Sequence, residues 1–159
     1  MLFRSLQLHP VFIGEDHQTD TYFNVLKGRL KLREGNIENS LIYYERENTS
    51  AAKQSNILLY RHDADNALKE ILIKLHGIKV VVTKKRRIYF IDNVKFHFDD
   101  VAGLGSFVEV EAIDEKGNIG IDKLKQQCDK YAHLFNINSS QLIQFSYSDL
   151  ILQSQKPDL

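Results

Sequence analysis

Arg29, Lys31 and Arg33 fall on alternate positions of Gly28-Arg29-Leu30-Lys31-Leu32-Arg33-Glu34, with Leu30 and Leu32 between them. The pattern returns along the chain. Lys84 and Arg86 alternate in Val82-Thr83-Lys84-Lys85-Arg86, Lys95, His97 and Asp99 alternate with Phe96 and Phe98, and Glu109 and Glu111 alternate with Val108 and Val110. Arg46 and Lys53 add cations near the ends of strands. Arginine offers a fork that fits phosphate oxygens, and lysine offers a compact charge. Carboxylates facing them can hold a divalent ion against phosphate. These residue types suit a ligand that carries phosphates and brings its own metal. His97 reads as a hydrogen-bonding partner, and His9, His17, His62, His76 and His133 show no metal-ligand spacing. There is no Ser/His/Asp arrangement, no dinucleotide fingerprint and no P-loop, so phosphate would be held by side chains and not by a glycine loop.

A period of two is the period of a β-strand, so each charged set must lie on one face of a strand and its apolar partners on the other. Two arrangements satisfy this. The charged face can be the solvated side of a half-buried antiparallel sheet, or it can line the lumen of a closed barrel with helices over the apolar face. Several strands repeat the one-sided charge, and the two signs are segregated by strand. A solvated face has no reason to do this, so the tunnel is the better reading. Burying so many like charges requires water or a ligand in the lumen.

The remaining elements follow in order. Leu2, Phe3, Leu6 and Leu8 suggest a helix that Pro10 ends. His17 to Val25 reads as a strand with Gln18, Asp20 and Tyr22 on one face. Strands follow at Ser40 to Glu47 and Ser55 to His62. Asp65 to His76 is a helix with Leu68, Ile71, Leu72 and Leu75 on one stripe and Gly77 past its end. Lys79 to Ile91 is one long strand or two short ones. Asp92-Asn93 turns into Val94 to Asp99, and Ser106 to Ile113 is strand again. Asp122 to Phe135 is helical, and Ser139 or Ser140 caps a last helix through Leu152. Antiparallel strands with one inserted helix, then terminal helices, make an α+β order. We expect a single domain over 1–152 and a short tail over 153–159.

The chain has 159 residues with 21 basic and 21 acidic side chains. That balance does not suggest a nucleic-acid or polybasic membrane binder. Cys128 is alone, which rules out an internal disulfide and fits a reducing compartment; in its helical run it reads as a structural thiol. No apolar run approaches a membrane span, and no secretory signal is evident. The cytoplasm is the expected location.

Gln18-x-Asp20-x-Tyr22-Phe23, Gly28 to Arg33, Leu41-Ile42-Tyr43-Tyr44-x-Arg46, Val82-x-Lys84-x-Arg86, Val94 to Asp99, Gly103-Leu104-Gly105-x-Phe107-x-Glu109-x-Glu111 and Ser146 to Leu150 occur in that order. Together they resemble the CYTH superfamily, also called the triphosphate tunnel fold, and within it the class IV adenylate cyclase branch. The resemblance implies an eight-stranded antiparallel barrel with helices outside. It implies phosphate binding by Arg29, Lys31, Arg33, Arg46, Lys53, Lys84, Arg86 and Lys95, and metal binding by Asp99, Glu109 and Glu111, with Mg2+ or Mn2+ as the ion. Lys95 stands where the family often has arginine. The implied ligand is ATP or another triphosphate, cyclised to cyclic AMP or hydrolysed. The family's opening ExExK strand has no counterpart here, so the barrel is expected to lack its first strand and part of its metal site. An exposed edge of that kind allows a homodimer.

Overall fold

The computed structural model describes residues 7–45, 53–63 and 66–155. Seven antiparallel strands form one curled sheet in the order β4-β3-β2-β1-β5-β6-β7. They are β1 (Val11–Phe23), β2 (Arg29–Glu34), β3 (Ser40–Glu45), β4 (Asn56–Arg61), β5 (Ile78–Ile91), β6 (Val94–Val101) and β7 (Gly105–Ala112). Helix α1 (Asn66–His76) lies between β4 and β5, and α2 (Ile121–Leu134) and α3 (Tyr147–Ser154) follow the sheet. The architecture is the expected α+β one, with seven strands among the described residues where the resemblance implies eight.

β1 runs beside β5 over its full length, from Val11 opposite Phe90 to Phe23 opposite Ile78, and pairs with β2 on its other side. It is longer than its alternation suggests. Residues 11–16 extend it ahead of His17, where the strand is expected to begin, because each has a ladder partner on β5 except at the bulge between Phe12 and Gly14. β5 is a single strand, and its burial alternates from Val80 through Val82, Lys84 and Arg86 to Ile88.

The two faces of the sheet divide the work. The outer face is apolar and carries two helices. Phe23, Leu30, Leu32 and Leu41 meet Leu68, Leu72 and Ile73 of α1. Val94, Phe96, Phe98 and Val110 meet Tyr131 and Leu134 of α2, with Phe135 just beyond. Ile71 and Leu75, expected on the packed stripe of α1, are exposed instead, because that wall offers apolar residues only to the Leu68–Leu72 side. On the inner face one end is apolar, where Tyr22, Val80, Val82 and Val101 pack against Tyr147, Ile151 and Leu152 of α3. The rest of the inner face is charged.

The final helix begins later than Ser139 or Ser140 would place it. Asn138 caps a short 3-10 turn at Ser139–Gln141, and α3 starts after Ser146. Ser146 and Asp149 form a reciprocal capping box there, which satisfies two backbone donors at the helix start. The two sheet edges are β4 and β7, and a 3.6 Å ion pair between Arg61 and Glu115 links the end of one to the loop after the other. β4 is exposed along its length.

Candidate functional site

Asp20 is the hub of the inner face. It sits on β1 between β2 and β5, opposite Arg33 on one side and Val82 on the other. Arg33 donates to it through Nε and Nη2, both at 2.8 Å, Lys84 donates at 2.8 Å, and Lys31 lies 3.3 Å away. Burial alone would raise this carboxyl, but Lys31, Arg33 and Lys84 outweigh it and hold Asp20 well below the ordinary carboxylate range. Burial pushes the Lys84 ammonium down to about 7 against the pull of Asp20, with Arg33 and Arg86 adding to the fall. A phosphate arriving beside Lys84 would restore its charge, since an added anion favours the protonated form.

A second pair stands on β5 and β6, where Arg86 faces Asp99 in register. Arg86 donates twice to Asp99, at 2.8 and 2.6 Å, and once to Glu109 at 3.3 Å. The Tyr147 hydroxyl of α3 donates to the same Asp99 at 2.9 Å. Its ring lies 5.7 Å below the Lys84 ammonium. At the far rim of β2, Arg29 donates to Asp149 of α3 at 2.7 Å. The last helix therefore touches the charged face at three of its cations or their partners.

Glu38 ties the two halves together from the turn between β2 and β3. It takes Arg33 at 3.1 Å, Gln18 at 3.0 Å and the Lys95 ammonium. Burial works against its charge, but Lys95 and Arg33 bring it down to about 2. Its place depends on Asp16, which accepts the backbone N–H of Ile37 at 2.9 Å and of Glu38 at 3.0 Å. Gly35 is required in that turn, because a Cβ there would stand 2.6 Å from the Asp16 carboxylate.

Of the residues singled out in the sequence, the structure brings Arg29, Lys31, Arg33, Lys84, Arg86, Lys95, Asp99, Glu109 and Glu111 onto one concave face. Lys53 donates to the carbonyls of Ile143 and Gln144. Arg46 falls outside the described residues. Sequence reasoning left out Asp20, Gln18, Glu38, Tyr147 and Asp149 as site residues. Asp20 and Gln18 carried a signal, since they share the face of Tyr22 on a strand. Glu38 carried none, because it lies in a turn.

His97 is buried on β6, with Nδ1 3.3 Å from Glu109 and Nε2 without a hydrogen-bond partner. Burial, with Arg86 behind it, pushes its imidazole down from 6.5 to about 4. Between those values the unfolded chain holds a proton that the folded chain refuses, so stability falls as pH drops from 6.5 toward 4. The whole displacement corresponds to about 3 kcal/mol. In metal-free buffer, urea unfolding at pH 6.5 and pH 5 should show the wild type losing about 2 kcal/mol more than His97→Gln. Glu111 is raised, by burial first and Glu109 second, and works with the opposite sign in that window. It does so in both proteins and cancels in the comparison, while Glu38 contributes only below its ordinary 4.5. Equal losses in the two proteins would refute a buried neutral His97.

The family resemblance implies a divalent ion. Among the described residues no three His, Cys, Asp or Glu side chains gather around one point. Both oxygens of Asp99 are taken by Arg86, and one of them also by Tyr147. Glu109 also takes Arg86 and the His97 ring through Oε2, but it and Glu111 differ from Asp99 in exposure. They are part-exposed, share the inner face of β7, and the charge of Glu109 helps to raise Glu111. Two carboxylates fit an ion whose other ligands are phosphate oxygens and water, the usual environment of Mg2+.

A CYTH domain model matches residues 2–145. Solved structures share the fold at low identity. A protein from Pyrococcus horikoshii superposes with a TM-score of 0.80 at 22% identity, over 94% of this chain and 89% of that one. A conserved hypothetical protein from Pyrococcus furiosus gives 0.78 at 20% identity, over 94% and 92%. A candidate adenylate cyclase from Vibrio parahaemolyticus gives 0.68 at 16% identity, over 95% and 90%. No curated protein matches the chain. No helix among the described residues is long and apolar enough to cross a membrane.

Proposed function

Because the chain belongs to the CYTH domain family, we propose that it binds a triphosphate with a divalent ion, Mg2+ or Mn2+, on the charged inner face, and that it cyclises ATP in the manner of class IV adenylate cyclases. One observation carries the reading: Arg29, Lys31, Arg33, Lys84, Arg86 and Lys95 all face inward and all are held by carboxylates. Such a face is balanced when empty. Arg33 and Arg86 grip their carboxylates with two donors each, and the same forks fit phosphate oxygens. Ligand binding is then an exchange of one set of anions for another, with no cation left bare.

In this reading Lys53 and Arg46 are outlying phosphate contacts, Glu109 and Glu111 hold the ion, and Asp99 orients Arg86. The ion, when bound, neutralises and orients the polyphosphate. The 3′-hydroxyl of ATP attacks the α-phosphorus, its proton passing to solvent, and pyrophosphate leaves. The fixed cations stabilise the charge that builds on the transferring and leaving oxygens, and being already oriented they cost little reorganisation. If water attacked the γ-phosphorus in the same cage, the protein would be a triphosphatase. Binding without turnover is the second reading, favoured by the lack of a third ion-ligating side chain beside Glu109 and Glu111 among the described residues.

Incubation with ATP and Mn2+, and separately with tripolyphosphate and Mn2+, distinguishes these. Cyclic AMP is the expected product. Phosphate without cyclic AMP assigns the triphosphatase, and no product from either leaves a binding protein. The site itself is tested by calorimetric titration of Lys31→Met/Lys95→Met with tripolyphosphate. Both carboxylate partners keep Arg33 in that variant, so the fold should survive. Affinity should fall about 100-fold, roughly one tenfold step per lost charge-assisted bond. Unchanged affinity would refute a triphosphate site on this face.

A further inference from the structure

Gln18 lies on the inner face of β1 between Asp16 and Asp20, opposite Lys84 on β5. It is 1% exposed. Its amide nitrogen donates to Asp16 at 2.8 Å and to Glu38 at 3.0 Å. Those two carboxylates fix the amide, because the reverse orientation would set its carbonyl against both. The carbonyl oxygen Oε1 is buried and has no hydrogen-bond partner. The neighbouring donors are committed, Lys84 to Asp20 and Arg33 to Asp20 and Glu38.

A buried acceptor without a donor is costly, and phosphate cannot relieve it, since phosphate oxygens are acceptors too. The group that meets Gln18 must carry O–H or N–H. Gln18 stands beside Asp20 and Lys84, among the cations read above as phosphate contacts, so its donor lies close to the phosphates. In a nucleoside triphosphate the groups in that position are the sugar hydroxyls.

Resting on the triphosphate reading, we propose that Gln18 Oε1 accepts a hydrogen bond from a sugar hydroxyl, and that this contact makes the site select organic triphosphates that carry such a hydroxyl. The metal's own water molecules would accompany any polyphosphate and would not discriminate. Gln18 is thus a specificity determinant, separate from the cations that supply affinity.

Calorimetric titration with Mg2+ present tests this using ATP, 2′,3′-dideoxy-ATP and tripolyphosphate, on the wild type and Gln18→Met. The wild type should bind ATP about tenfold more tightly than the dideoxy analogue, as expected for one hydrogen bond to a buried acceptor. In Gln18→Met that ratio should collapse to about one, whatever loss common to all three ligands follows from removing the amide's bonds to Asp16 and Glu38, and a ratio that survives the substitution overturns the proposal. Equal wild-type affinity for ATP and the dideoxy analogue overturns the proposal, and this arm needs no variant to fold. If the wild type binds tripolyphosphate but does not distinguish the nucleotides, the triphosphate reading stands and this inference falls. If it binds none of the three, both fall.

Discussion

Replacing Asp20 by alanine is expected to lower the unfolding free energy by about 3–5 kcal/mol, the usual cost of stripping one partner from a buried charge set. Its carboxylate is fully buried and takes Arg33, Lys84 and Lys31 together. Without it Lys84 can shed its proton, since burial already favours the neutral amine. Arg33 has no such escape, because a guanidinium stays charged. Water or an anion must then enter beside it. Asp20→Asn should cost less, because one acceptor oxygen remains for the Arg33 fork. Urea unfolding measures both, and an alanine loss under about 1 kcal/mol would put Asp20 on a solvated surface. Tripolyphosphate should raise the melting temperature of Asp20→Ala more than that of the wild type, because the ligand supplies the charge the variant lacks.

Phe96→Ala should cost a comparable amount, about 3–5 kcal/mol, through a different mechanism on the opposite face. Phe96 is fully buried, edge-on to Tyr131 at 4.8 Å and near Phe135 at 5.8 Å. It fastens α2 to the outside of β6 while Lys95, His97 and Asp99 point inward from the same strand. The lost ring leaves a cavity under the helix that neighbouring side chains cannot fill. Amide exchange should quicken first in α2, and calorimetry below the melting temperature should find tripolyphosphate affinity changed by less than about threefold. A large loss of affinity would mean that the outer core sets the geometry of the inner face more strongly than a continuous strand implies.

The faces of the strands were legible in the sequence because a pleated backbone leaves no choice: Arg29, Lys31 and Arg33 must share a side opposite Leu30 and Leu32. Their partners were not, since pairing depends on strand order. Asp20 meets Arg33 and Lys84 only because β1 lies between β2 and β5. The resemblance implies Asp99 as an ion ligand, and its engagement with Arg86 follows from the β5–β6 register. Glu38 was invisible because its reach is set by two backbone N–H groups that Asp16 holds. The last helix was misplaced because Ser139, Ser140 and Ser146 are equally good caps in isolation. Packing of Tyr147, Ile151 and Leu152 on the inner face decided between them.

The central place of β1 also bears on how the chain assembles as it is synthesised. Its pairing with β2 closes over a short loop, and Arg33 can reach Asp20 across 13 residues. Its pairing with β5 must wait for a segment about five times as far along, with Lys84 lying 64 residues from Asp20. Until that segment leaves the ribosome, one long side of β1 has no partner and offers its Val11–Phe23 edge to any other strand. Contacts of such separation slow folding, and an unpaired edge held open for that interval is where nascent chains would capture one another. Refolding yield should therefore fall steeply with protein concentration, and a chain released after residue 63 should aggregate where the full chain does not.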